Sequence, residues 1–324
     1  MMSSIVVAFA LFVAGLVIVM YGAEYFVRGA SSVAAKLGVT PFVIGLTIVA
    51  IGTSAPEVAV NVLAAARGAV ELSIGNIVGS NIVDTLLGLG LAALVRPLTI
   101  HARTVWKEIP FIVLAAMMLL VLGGDCVIDR HCVANSITRG DGLVLLSFFT
   151  IFIVYTFTLS RTSDRESSEA VRTYSWLWST VLLVGGLLAL VIGGKIAVDA
   201  AVRIATLLGW SQNLIGLTIV AVGTSLPEIM TSLSAVRQGA VDLVVGGIVG
   251  TIIFNTFFAL GLTALVAPLP FTRDNAMDTG VFAATTIVLF ALMFVGKRHT
   301  LQRYQGIVFV GMYIAYILFA LHRG

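Results

Sequence analysis

Two stretches of the chain have nearly the same sequence: Ile44–Glu57 is IGLTIVAIGTSAPE, and Ile215–Glu228 is IGLTIVAVGTSLPE. Twelve of these 14 positions are identical, and Thr, Ser, Pro and Glu recur in the same order within an apolar run. A weaker similarity follows both copies, between 68–85 and 239–256. The chain therefore contains an internal repeat, and we expect its fold to consist of two related halves.

The composition places both halves in a membrane. Hydrophobic residues make up 59% of the 324 residues, and the mean hydropathy is +1.07. Charged residues make up only 11%, whereas soluble domains carry about 25%. So few charges cannot cover a water-soluble globule, which excludes a soluble enzyme and a disordered chain. The basic residues fall between apolar runs rather than in a patch, so no nucleic-acid partner is expected.

The predicted fold class is an all-α polytopic membrane protein with ten transmembrane helices in two inverted five-helix repeats. A helix needs about 20 apolar residues to cross the hydrocarbon core. Because five is an odd number, the second repeat enters the membrane from the opposite side. The predicted spans are 4–27, 40–66, 70–95, 105–123, 141–160, 175–198, 211–237, 241–267, 276–296 and 302–321.

The domain boundaries and the orientation follow from these spans. Residues 1–160 form the first repeat, 161–174 a cytoplasmic connecting loop, and 175–324 the second repeat. With both termini extracytoplasmic, 12 of the 19 Lys and Arg residues fall on the cytoplasmic side, as the positive-inside rule requires. We expect a multi-pass protein of the cell (inner) membrane. Cys126 and Cys132 then lie outside, where a disulfide, two unpaired thiols or a small metal site are all open.

Glu57 and Glu228 lie mid-span in predicted helices 2 and 7. A charge at that depth costs about 2.5–3.5 kcal/mol on insertion scales, so such residues are functional candidates. The alternative is a structural carboxyl, protonated or hydrogen-bonded between helices. Proline within each motif predicts a broken helix with freed backbone carbonyls that can bind a cation. The candidates in these helices are Ala50, Thr53, Ser54 and Glu57, and Ala221, Thr224, Ser225 and Glu228.

Predicted helices 3 and 8 add a second polar stripe in each repeat. Asn76, Ser80 and Asp84 are spaced by four and share one helix face. Thr251 and Asn255 occupy the matching positions of helix 8. If the four helices pack together, their oxygens form an all-oxygen site with several carboxylates. Such a site suits Ca²⁺, Mg²⁺ or Mn²⁺, or Na⁺ with less charge, and is a poor match for zinc or copper.

The doubled motif, each copy followed by a G-x-x-G-S/T-like helix, resembles the calcium/cation antiporter superfamily, and most closely its prokaryotic sodium/calcium exchangers. The resemblance covers nearly the whole chain. It implies exchange of Ca²⁺ for Na⁺, or in some branches for H⁺ or together with K⁺. It also implies that the candidate residues above bind the transported ions.

The chain departs from that family pattern in helices 3 and 8. Family members often carry Asn in helix 3 and Asp in helix 8, whereas here the pair is Asp84 and Asn255. Gly247 and Ile252 stand where two amides are usual, and Thr251 replaces a Ser. Cation binding is expected to survive because the number of carboxylates is kept, while the ion preference stays open.

We expect a secondary antiporter that exports Ca²⁺ in exchange for Na⁺ by alternating access. A Ca²⁺/H⁺ or other divalent-cation/H⁺ antiporter is the alternative, a cation channel is a weaker one, and an enzyme is disfavoured because no His or Lys lies near Ser54 and Glu57. The glycines of helices 1 and 6 fit either sliding or close packing. The partners are the transported ions and the lipid bilayer, with no cofactor and no obligate protein partner.

Overall fold

A computed structural model describes residues 2–68, 70, 73–124, 135–162, 173–208 and 221–323. Cys126 and Cys132, most of the predicted 161–174 loop, and residues 215–220 of the second motif lie outside these ranges. The described part is helical apart from four two-residue strands. Its helices are α1 (Met2–Leu37), α2 (Pro41–Ala66), α3 (Ser73–Val95), α4 (Ala102–Leu122), α5 (Arg139–Thr162), α6 (Trp176–Leu207), α7 (Ala221–Thr224 and Leu226–Arg237), α8 (Val241–Val266), α9 (Arg273–Leu292) and α10 (Arg303–Arg323).

Nine of these helices are long and apolar enough to cross a membrane, counted over the described residues. Only α7 falls short, because the first part of its predicted span, 211–220, lies outside the described ranges. Large apolar side chains such as Phe9, Phe157 and Leu177 are exposed on the outer helices. A surface of that kind is stable against lipid rather than water, so the chain is an integral multi-pass membrane protein.

The helices divide into a buried centre and a periphery. In the most apolar 18-residue stretch of each helix, the buried share is 94% in α8 and 78% in α3, but only 28% in α1 and in α6. Helices α2 and α7 pack against α3 and α8 in the centre. The polar stripes predicted on these four helices therefore lie inside the protein.

Helices α1 and α6 form an antiparallel pair through glycine contacts. A Cβ added at Gly15 would lie 2.6 Å from the Ala197 nitrogen, and one at Gly29 would lie 2.5 Å from the Leu183 nitrogen. Only glycine allows two helix backbones to approach so closely. At one end of the pair, the Ser32 and Ser179 hydroxyls hydrogen-bond at 2.8 Å. The glycines therefore serve close packing between these two helices.

Both helices are longer than predicted, with 36 residues in α1 and 32 in α6. A helix crossing straight through needs about 20 residues, so α1 and α6 tilt or extend past the hydrocarbon core. The predicted spans 4–27 and 175–198 end earlier because the run of apolar residues stops before the helical backbone hydrogen bonds do.

Four short strands join the two halves crosswise. Strand β1 (Leu98–Thr99), after α3, pairs with β4 (Thr300–Leu301), before α10. Strand β2 (Ser136–Ile137), before α5, pairs with β3 (Leu269–Pro270), after α8. No strand was predicted, since two residues give no period to detect. Each pair fixes two distant helix ends to the same face of the membrane.

The proline motifs behave differently in the two halves. Helix α2 continues unbroken through Pro56, so the predicted break in helix 2 is wrong. A π-helical turn at Gly45–Val49 lies earlier in that helix. Helix α7 is interrupted at Ser225, just before Pro227. Further π-helical turns, which often mark functional sites, begin at Asp84 in α3 and include Asn255 in α8.

Candidate cation site

Three carboxylates lie buried where α2, α3, α7 and α8 meet. The exposed fractions are 6% for Glu57, 5% for Glu228 and 1% for Asp84. Ser54, Ser225 and Asn255 are fully buried around them, and Ser80 and Thr251 nearly so. The four helices therefore bring the predicted carboxylates, hydroxyls and amide into one region of the core.

Glu57 is held by two neutral donors from two other helices. The Ser80 hydroxyl donates to Glu57 Oε1 at 2.7 Å, and the Asn255 amide donates to Oε2 at 3.1 Å. These contacts connect α2 to α3 and to α8. The Asn61 amide also donates to the backbone carbonyl of Glu57 at 2.9 Å. Both carboxylate oxygens of Glu57 thus have partners.

Glu228 and Asp84 have far fewer partners. The Ser54 hydroxyl lies 3.4 Å from Glu228 Oε1, a long contact, and Glu228 Oε2 has no hydrogen-bond partner among the described residues. Neither oxygen of Asp84 makes a hydrogen bond of ordinary geometry within those ranges, although Ser225 and Glu228 are its neighbours. Buried polar oxygens are normally paired. An unpaired acidic group of this kind has the character of a cation site.

The reversed Asp84 and Asn255 pair explains this asymmetry. Asn255 supplies an N–H to Glu57, which an aspartate at that position cannot do. Asp84 instead adds a second negative group beside Glu228. The negative charge of the region is therefore concentrated on the α3–α7 side.

The other predicted residues are placed as follows. Thr53 donates to the Val49 carbonyl at 3.0 Å and lies 3.5 Å from the Ala50 carbonyl. Thr251 lines the same cavity as Thr53 and Glu228. Thr224 is half-buried in the first segment of α7, where Ala221 is the first described residue. Asn76 is half-buried one turn from Ser80, and no hydrogen bond within the described ranges joins it to the carboxylates.

Two polar residues of this region are not among the predicted ligands. The Asn81 amide donates to the Thr256 hydroxyl at 2.9 Å, which connects α3 to α8 beside the carboxylates. Thr231 is buried on α7, with its hydroxyl unpaired among the described residues. Thr231 lies three residues after Glu228, so the helical period placed both on one face. Threonine is common in membrane helices, and this signal alone was too weak to single it out.

The part of the chain that the structure covers contains no group of three or more His, Cys, Asp or Glu side chains spaced to hold one metal ion. A cation at this site therefore takes a share of its ligands from hydroxyl, amide and carbonyl oxygens. Because Pro56 has no N–H, the Gly52 carbonyl lacks the donor that the fourth following residue of an α-helix normally supplies. The donor set is oxygen only, as hard cations prefer.

Comparison with known proteins identifies the family. The family described as "Sodium/calcium exchanger protein" matches residues 7–158 and 178–322. The chain belongs to this family. The sodium/calcium exchanger MaX1 of Methanosarcina acetivorans is 32% identical, over 97% of this chain and 98% of that protein. The inner membrane protein YrbG of Escherichia coli is also 32% identical, over 96% and 95%.

Solved structures of the sodium-calcium exchanger NCX_Mj share the fold of this exchanger-family protein. The structure soaked with Na⁺ and Sr²⁺ superposes with a TM-score of 0.82 and 32% identity, over 97% of this chain and 98% of that chain. The predicted family and the helical membrane fold are thus confirmed. The family consists of transporters, so this chain is a transporter rather than an enzyme.

Proposed function

We propose that the protein exports Ca²⁺ in exchange for Na⁺ by alternating access around the buried carboxylates. The observation that carries this proposal is the group of buried oxygens on Asp84, Ser225 and Glu228, next to Glu57, that have no hydrogen-bond partner among the described residues. MaX1 is named a sodium/calcium exchanger, and NCX_Mj was soaked with Na⁺ and Sr²⁺, which supports these ions as cargo. The ions are substrates, and no resident cofactor is proposed.

The charge of the site explains why transport is coupled. Three buried carboxylates repel one another strongly in a low-dielectric interior. A Ca²⁺ ion or several Na⁺ ions offset that repulsion, which nothing compensates when the site holds no cation. The loaded site can therefore cross between the two faces, and the empty site cannot. The proposed ligands are Ala50, Thr53, Ser54, Glu57, Asn76, Ser80, Asp84, Ala221, Thr224, Ser225, Glu228, Thr251 and Asn255.

We also propose that the chain crosses the membrane ten times in two inverted repeats, 1–160 and 175–324, joined by 161–174. The strand pairs support this number. Because β1 pairs with β4, the chain must cross an even number of times between them. Five described helices lie between these strands, α4, α5, α6, α8 and α9, and the predicted span 211–237 would make the sixth crossing. The antiparallel packing of α1 on α6 supports the inversion.

The proposed orientation puts both termini outside the cytoplasm and residues 161–174 inside it, in the inner membrane. The test attaches a reporter active only in the cytoplasm to the C-terminus or into 161–174. We expect activity from the loop fusion and none from the C-terminal fusion. Activity in the opposite pattern contradicts the orientation, and activity in both contradicts ten crossings.

The transport proposal is tested with purified protein in liposomes. Loaded with Na⁺ and diluted into radiolabelled Ca²⁺ without Na⁺, the liposomes should take up Ca²⁺ at a rate that saturates. Liposomes loaded with K⁺ or choline, and others with a pH gradient alone, serve as controls. Uptake driven by the pH gradient but not by Na⁺ would favour the H⁺ antiporter. Unsaturated flux without a counter-ion would indicate a channel.

A further inference from the structure

Strands β1 and β4 bring together the segment that joins α3 to α4 and the segment that joins α9 to α10. The Ile100 N–H adds a further backbone hydrogen bond between them, to the His299 carbonyl oxygen at 2.8 Å. The two connections therefore form one continuous surface at one end of the helices. We call this surface, made by residues 96–107 and 293–304, the ladder face.

The turn between α9 and α10 gives the ladder face a fixed shape. Gly296 and His299 both have a positive φ, of 76° and 54°, which side chains rarely adopt. The His299 N–H donates to the Met293 carbonyl oxygen at 2.8 Å, and this bond closes the turn. A strained residue such as His299 persists only when its surroundings hold it in place. The turn therefore presents Lys297 and Arg298, both exposed, at a defined position beside β1.

The ladder face is strongly basic. No Asp or Glu lies within its two ranges, and Glu108, the next residue, is buried. Asp242 of α8 contacts His101 at 3.3 Å. None of the Lys and Arg residues of this face forms an ion pair with a carboxylate among the described residues. There are six of them: Arg96, Arg103, Lys107, Lys297, Arg298 and Arg303.

The ladder at the other end of the helices has no such excess. Residues 135–141 and 267–274, around β2 and β3, carry two basic and two acidic side chains, namely Arg139, Arg273, Asp141 and Asp274. The loop 161–174 is balanced as well, with three Arg against three acidic residues. The positive charge is therefore concentrated on the ladder face, and neither of these segments has the net charge to offset it.

Exposed aromatic side chains border the basic residues. Trp106 is 57% exposed, and its ring lies 5.8 Å from that of Phe290 and 5.3 Å from that of Phe294. Tyr304, at the start of α10, is exposed as well. Trp and Tyr are enriched where the hydrocarbon core meets the lipid headgroups. The basic side chains of the ladder face therefore lie at the level of the headgroups, beside apolar surface that acyl chains can cover.

Arg103 has a hydrogen-bond donor left over. Its guanidinium lies over the Tyr155 ring, 5.8 Å from the centroid. The Arg103 Nε is buried and has no hydrogen-bond partner among the described residues. Buried donors are normally paired, and a guanidinium matches the oxygens of a phosphate group. Arg103 thus points to a ligand that carries a phosphate.

We infer that the ladder face binds the headgroups of anionic phospholipids, such as phosphatidylglycerol, from the leaflet next to it. Basic residues at a membrane surface attract anionic lipids, and the β1–β4 pairing holds two groups of them side by side. The headgroup phosphate is placed against the Lys and Arg side chains, while the acyl chains cover Trp106 and Phe294. The inference does not depend on which ions the protein transports.

The test uses Trp106 as a reporter of the lipid beside it. Full-length protein with Trp176→Phe, Trp178→Phe and Trp210→Phe is placed in bilayers that contain lipids with brominated acyl chains, which quench a tryptophan they contact. Half-maximal quenching should need about fivefold less phosphatidylglycerol than phosphatidylcholine, the value of one basic residue at a membrane surface, or a still smaller amount. Equal quenching by the two lipids overturns the inference, and the basic residues then serve orientation alone.

Two double variants locate the binding. Lys297→Gln with Arg298→Gln, at the exposed tip of the turn, should remove most of the preference of Trp106 for phosphatidylglycerol. Arg139→Gln with Arg273→Gln removes two exposed cations near the other ladder and should leave that preference unchanged. The same loss in both double variants, or in neither, contradicts a site on the ladder face.

A second measurement needs no tryptophan substitution. Native mass spectrometry of protein extracted in mild detergent counts the phosphatidylglycerol molecules that stay bound. The unaltered protein and Arg139→Gln with Arg273→Gln should retain equal numbers, and Lys297→Gln with Arg298→Gln should retain fewer. Equal numbers in all three proteins overturn the inference.

Discussion

We expect Glu228→Gln to abolish nearly all Na⁺-driven Ca²⁺ uptake into liposomes. The substitution keeps the size of the side chain and its contact with Ser54, but it removes one of the negative charges that attract the cation. Losing one partner of a buried charge interaction costs about 3–5 kcal/mol, which is roughly a hundredfold or more in affinity. We therefore expect the initial uptake rate at low Ca²⁺ to fall by roughly a hundredfold or more.

The matched control is Glu108→Gln. Glu108 is another buried glutamate, 1% exposed at the start of α4, and it accepts a hydrogen bond from Tyr155 on α5. A glutamine there can still accept that bond, and the residue lies outside the four central helices. Uptake should persist in Glu108→Gln. If Glu228→Gln transports as well as Glu108→Gln does, Glu228 is not an ion ligand.

We expect Gly186→Ala to destabilise the protein. A Cβ at this position would lie 2.4 Å from the backbone nitrogen and 2.7 Å from the Cα of Phe26, both of them backbone atoms of α1. The helices must therefore separate, and overpacking of this kind costs about 1–3 kcal/mol, occasionally more. We expect a lower apparent melting temperature in detergent, measured at one fixed scan rate.

Gly185→Ala is the control, one residue away on the same helix. A Cβ at Gly185 meets nothing within 4 Å, because this position is exposed. Alanine is the better helix former by about 1 kcal/mol, so the melting temperature should stay level or rise. Equal melting temperatures for the two variants would show that α1 and α6 do not pack through Gly186.

The repeat made most of this fold predictable. Matched Glu57 and Glu228 in apolar runs marked the central helices, and the spacing of Ser80 and Asp84 marked the face of α3 that meets them. The break in α7 followed from Pro227. The same reasoning failed at Pro56, through which the helix continues.

Contacts between distant segments could not be predicted. The partner of Asn255 is Glu57, and nothing in the sequence of α8 indicates which carboxylate the amide will contact. The unpaired Thr231 hydroxyl is visible only when the neighbouring helices are in place. The sequence thus indicates which residues are polar at depth, and packing decides which of them remain unsatisfied.

The crosswise strand pairs also bear on how the chain assembles. Leu98 pairs with Leu301 and Ile137 with Leu269, so each ladder closes a very long loop of chain. Contacts of high sequence separation form late, because the loop entropy must be overcome first. During synthesis, β1 and β2 of the first half therefore stay unpaired until β3, after α8, and β4, between α9 and α10, have been made. A truncated chain that ends before β3 would leave both β1 and β2 unpaired.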